Sequence, residues 1–151
     1  MNNELLMPLL DRNKFTSLKS YNISRLFYVA FLGGIIPIIV LGCKNMTWLK
    51  IDRKIIVISR IVGTILLVAQ ICLVMLYFRG LIEITVRSIV LTFKIVDIML
   101  YLLYYFFMKT NFMIHFTFYS QTVPLLKPAI KWSMIGVIAE FVFLIIGRSI
   151  V

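Results

Sequence analysis

The sequence predicts an all-α integral membrane protein, a bundle of four hydrophobic helices. Two observations carry that expectation. The 151 residues are 62% hydrophobic and only 15% charged, too little polar surface for a water-soluble domain of this size. The apolar residues also fall into four runs of membrane length, at 26–43, 55–78, 88–108 and 129–147. At 1.5 Å per residue these span roughly 27–36 Å, against a hydrocarbon core of about 30 Å. A spanning segment must satisfy its own backbone, so each run is expected to be helical. Transmembrane strands would be about ten residues long and alternating.

Residues 1–25, MNNELLMPLLDRNKFTSLKSYNISR, form a polar and basic head. No short apolar core or small-residue exit follows it, so the head is expected to be retained. The membrane unit is then 26–151. The first run, LFYVAFLGGIIPIIVLGC, carries Gly33, Gly34 and Pro37 at its middle, a combination that breaks helices. Two forms are open, a plain crossing and a re-entrant hairpin. If all four runs cross, seven basic residues lie on each side and orientation is undecided. If the first run re-enters, Arg12, Lys14, Lys19, Arg25, Lys44, Lys50, Arg53, Lys54, Lys109, Lys127 and Lys131 share one side. That is eleven against Arg79, Arg87 and Arg148, and the positive-inside rule would then make the eleven cytoplasmic.

The second run contains Arg60, Gly63, Thr64 and Gln70 on related faces. The third asks a sharper question, because LTFKIVDIML (91–100) places Lys94 and Asp97 inside it. Three residues apart on a helix, they share a face and cancel in charge. Each charge costs roughly 2.5–3.5 kcal/mol near a helix centre, and each of the run's twelve Leu, Ile, Phe and Val residues returns about 0.3–0.6. Alone this helix is marginal, so the stripe of Arg87, Lys94, Asp97, Tyr101 and Tyr105 is expected to face protein. The fourth run supplies Glu140, at matching depth in an antiparallel neighbour, on a small-residue face with Ser133, Gly136 and Gly147. The expected polar cluster is therefore Lys94, Asp97 and Glu140, with Arg60, Gln70 and Tyr101 as supporting residues. The connection 109–128 contains FMIHFTFY, expected along the interface.

The stretch FLGGIIPIIVLGCKNMTWL resembles a pattern of small, uncharacterised bacterial multi-pass membrane proteins. Its elements are Phe31, the pair Gly33 and Gly34, Pro37 three residues on, and Asn45 and Leu49 at the exit. The likeness covers about 20 of 151 residues. Small residues usually follow the proline, where this chain has Ile38, Ile39 and Val40. The resemblance implies a multi-pass protein of a bacterial plasma membrane, and no activity.

Net charge is +10, from 16 Lys and Arg against 6 Asp and Glu. The basic residues sit at run ends, where they meet anionic headgroups, so no nucleic-acid partner is expected. Cys43 and Cys72 read as packing residues. One histidine, His115, and no nucleophile–base motif argue against an enzyme, a metal or a cofactor. Two functions stay open. One is a protein acting by contact with other membrane components, whether an accessory subunit, a self-protection factor or a homo-oligomer. The other is a small ion- or proton-coupled transporter using Asp97 and Glu140.

Overall fold

The computed structural model describes residues 19–119 and 122–149. They form five helices: α1 (Leu26–Gly33), α2 (Ile35–Trp48), α3 (Arg53–Phe78), α4 (Val86–Tyr119) and α5 (Leu126–Ser149), with a 3-10 turn Ile23–Arg25 leading in. By length and composition two of them, α3 and Val86–Thr117 of α4, are apolar enough to cross a membrane. Most of the polar head, residues 1–18, lies outside the described residues.

Four expected helices become five because the first run is two helices. Gly34 adopts φ 78° and ψ −163°, a region essentially confined to glycine. The chain turns back there. A continuous helix from Tyr21 to Trp48 would separate the two rings by about 40 Å, yet their centroids are 4.8 Å apart. α1 and α2 are thus the arms of a hairpin with Gly34 at its tip. Pro37 sits in the first turn of α2, where its missing N–H costs no helical hydrogen bond.

The open end of the hairpin is closed by Asn45, which is fully buried. Its Oδ1 accepts from the Tyr21 N–H (2.7 Å) and the Ser20 hydroxyl (3.2 Å), and its Nδ2 donates to the Tyr21 carbonyl (3.3 Å). The Val123 N–H then donates to the Ser20 carbonyl (2.8 Å), so the α4–α5 connection joins the same base.

The remaining elements end by ordinary local chemistry. Asp52 caps α3 through the Lys54 N–H (3.0 Å). The helix stops at a Schellman turn, with Gly80 at φ 66° and Leu81 N–H on the Leu76 carbonyl (3.1 Å). α2 ends the same way, with Lys50 at φ 52° in the glycine position.

The structure corrects the reading of 109–128. α4 runs on through Tyr119, 34 residues in all, or about 51 Å. FMIHFTFY is helix, and His115 is buried within it. On the i, i+3, i+4 rows the residues 108, 112 and 115 continue the buried face of 100, 101 and 104, so the helical period persists past the apolar run. α3 and α5 also start earlier than the apolar runs, at Arg53 and Leu126. α4 packs against both arms of the hairpin. Tyr104, fully buried, lies across Gly42 and Cys43 of α2, and its hydroxyl donates to the Ser59 carbonyl of α3 (3.3 Å).

The tip conformation yields a prediction. Gly34→Ala is expected to cost about 1–3 kcal/mol, both because of the backbone region and because the added methyl would meet the Glu140 carboxylate at 2.5 Å. Gly80→Ala, with nothing within 4 Å of the added methyl, is expected to cost less. Thermal unfolding of the two variants in detergent ranks them; equal losses would contradict the tip geometry.

Candidate functional site

Gly34 has no side chain, and two carboxylates use the space. A Cβ built on it would lie 2.5 Å from Glu140 Oε1 and 3.9 Å from Asp97 Oδ2. Helices α4 and α5 therefore both aim a carboxylate at the tip of the hairpin. Glu140 stands at the N-terminus of α2, where the helix dipole favours negative charge. Asp97 is 1% exposed, and its Oδ1 accepts from Gln70 Nε2 of α3 (3.2 Å). Lys94, half-buried one turn before Asp97, acts electrostatically on both carboxylates.

Of the residues expected at the site, Asp97 and Glu140 meet at Gly34 and Gln70 donates to Asp97, while Lys94 lies one turn before Asp97 and is in ion-pair contact with neither carboxylate among the described residues. Gly33 and Pro37 serve the same junction differently. A Cβ on Gly136 would lie 2.5 Å from the Gly33 carbonyl oxygen, and one on Gly33 would overlap the Ser133 hydroxyl. The small-residue face of α5 is thus what lets the hairpin approach closely. Tyr101 is buried one turn from Asp97, but its ring packs on Phe27 of α1, centroids 5.6 Å apart. It supports the hairpin arm and not the cluster. Arg60 stays outside as well. It is exposed, next to Ser59 at the level of Tyr104, about 10 Å along α4 from Asp97.

A cavity of about 310 Å³ adjoins the cluster. Its walls are mainly Ile71, Val74 and Tyr77 of α3, Ile89 and Phe93 of α4, and Ile36 of α2. Its polar lining is Gln70, Glu140 and the hydroxyl-bearing Tyr77. Gln70 and Glu140 are near Gly34, and the other end reaches Phe78 and Val86, beside the α3–α4 turn.

Sequence reasoning missed Asn45, Ser20, Ser59 and Tyr104. Asn45 was visible only as a polar residue at the exit of an apolar run, and its partner is backbone 24 positions earlier. Ser59 is a small polar residue beside Arg60, which drew attention to the wrong neighbour.

No family model, curated protein or solved structure matches this chain. The reading of the site accordingly rests on its geometry.

The bond between Gln70 and Asp97 is testable by a double-mutant cycle. Gln70→Ala and Asp97→Ala are expected to couple by about 0.6–1.7 kcal/mol, the range for interhelical hydrogen bonds in membrane bundles. Detergent unfolding of wild type, both single variants and the double variant measures it. Strict additivity would separate the two residues.

Proposed function

We propose that this chain is a multi-pass integral membrane protein of the plasma membrane, with three crossing helices and one re-entrant hairpin, that acts without catalysis by contact with other membrane components. The supporting observation is the closed hairpin. Because Tyr21 and Trp48 meet, both flanks of the first apolar run belong to one face. Among the described residues the base side then holds Lys19, Arg25, Lys44, Lys50, Arg53, Lys54, Lys109, Lys127 and Lys131, nine against Arg79, Arg87 and Arg148 on the far side, and the positive-inside rule makes the base cytoplasmic. Lys44 lies over the Trp48 ring at 4.9 Å, an amphipathic pair suited to the headgroup level.

The outward faces agree with lipid as solvent. Ile58, Ile61 and Ile65 on α3, Leu91, Ile95 and Met99 on α4, and Met134, Ile138 and Phe141 on α5 are all exposed. In water such faces would drive association. In a bilayer they are solvated, and the interior polar groups fix register. The size and the basic flanks fit an accessory subunit or a self-protection factor that meets its partner in the membrane.

A second reading is favoured by one observation, the meeting of Asp97 and Glu140 at a helix break. Broken helices with carboxylates near the bilayer midplane are how ion-coupled carriers build their sites.

Two measurements separate these readings. Carbonate-washed membranes are expected to retain the protein; release to the supernatant would contradict the membrane assignment. In proteoliposomes with an imposed pH gradient, the contact reading expects no flux above empty vesicles, and expects Asp97→Asn and Glu140→Gln to lower the amount of folded protein. Flux in the wild type, abolished in variants that still insert, would replace it with the carrier.

A further inference from the structure

The cavity beside the cluster has a charge as well as a shape. Asp97 and Glu140 bring two carboxylates to the Gly34 tip, and half-buried Lys94 lies one turn before Asp97 on α4. With all three ionised, one negative charge is in excess. The excess is not placed evenly. Asp97 is enclosed and engaged by Gln70, whereas Glu140 faces the cavity. Glu140 is exposed at the open rim of an otherwise apolar cavity, a position that suits a cation bringing its own apolar surface.

We propose that this cavity binds a lipophilic monovalent cation, with its charge at Glu140 and its apolar body against Ile71, Val74 and Phe93. Three features fit that class. The volume, about 310 Å³, lies at the lower end of the range for small-molecule pockets, roughly 300–1,000 Å³. Tyr77, Phe78 and Phe93 offer aromatic faces to a cation on its way in. A hydrated inorganic cation would lose its water in this chamber with few oxygen ligands to replace it, while a lipophilic one has little hydration to lose. Arg79 and Arg87 stand at the outer rim, but both are exposed, where salt and headgroups screen them. The proposal goes beyond contact with membrane components and rests on the membrane reading only for the route of entry, which is from the face opposite the basic base.

The test uses full-length protein purified in a neutral detergent and labelled tetraphenylphosphonium as probe, followed by equilibrium binding. Labelled tetraphenylborate, matched in shape and opposite in charge, is measured in a separate sample, because the two ions form an insoluble salt when mixed. Saturable binding near one per chain is expected for the cation, and none for tetraphenylborate. Glu140→Gln is expected to weaken it roughly tenfold or more, the scale of one charge-assisted contact. Val74→Phe, which fills the chamber, is expected to abolish it. Lys94→Gln is expected to tighten it, because it removes the internal counter-charge; a variant that only loosened the fold would move affinity the other way. No saturable binding, equal saturable binding of tetraphenylborate, or wild-type affinity in Glu140→Gln would each overturn the proposal. Carbonate extraction is scored separately, so a protein that stays in the membrane and binds no cation refutes this site alone.

Discussion

At Gly34 the backbone occupies a conformation that side chains exclude, and the Glu140 carboxylate stands where a side chain would be, with Asp97 in contact beside it. That reversal decides the rest of the bundle. It makes two arms of one apolar run, and it brings Tyr21 back to Trp48. It also leaves the first N–H groups of α2 without i−4 partners in their own helix. Glu140 brings its carboxylate to that point with Asp97 beside it, and Gln70 donates to Asp97. Burial of Asp97 is costly for its charge, and the hydrogen bond from Gln70 offsets part of that cost. Asn45 completes the hairpin at its other end by occupying both backbone groups of Tyr21.

Much of this arrangement was legible in the sequence. Lys94 and Asp97 share a face by helical spacing, and an antiparallel course of the fourth run puts Glu140 at their depth, although α5 packs on the hairpin and α3 and reaches Asp97 only across the hairpin tip. Gly33, Gly34 and Pro37 marked the break, and charge counting made a hairpin worth considering beside a crossing. What sequence reasoning could not supply was closure. Asn45 binds the backbone of Tyr21, and backbone partners leave no trace in side-chain patterns. The length of α4 was misjudged for a related reason. Apolarity fades after Met108, while the buried face continues through Phe112 and His115, so a reading keyed to membrane length ended the helix where only its composition changed. Arg60 illustrates the limit of helical wheels: position along the helix, and not angle alone, separates it from the cluster.

The same geometry joins the two functional readings. A cluster that only fixed register would be sealed on all sides, as Asp97 nearly is. Glu140 instead opens on an apolar chamber that runs toward the α3–α4 turn. A small protein that contacts membrane components and a protein with a ligand chamber are therefore compatible, with the hairpin tip as the element both would act upon.

The central claim is that the hairpin enters and leaves by one face. In a background lacking Cys43 and Cys72, single cysteines at Ser24, Lys50 and Glu83 would be tested with a membrane-impermeant maleimide on intact cells and on inverted vesicles. The account expects Ser24→Cys and Lys50→Cys to react from the cytoplasmic face alone, and Glu83→Cys from the opposite face alone. Labelling of positions 24 and 50 from opposite faces would make the first run a plain crossing and contradict the account.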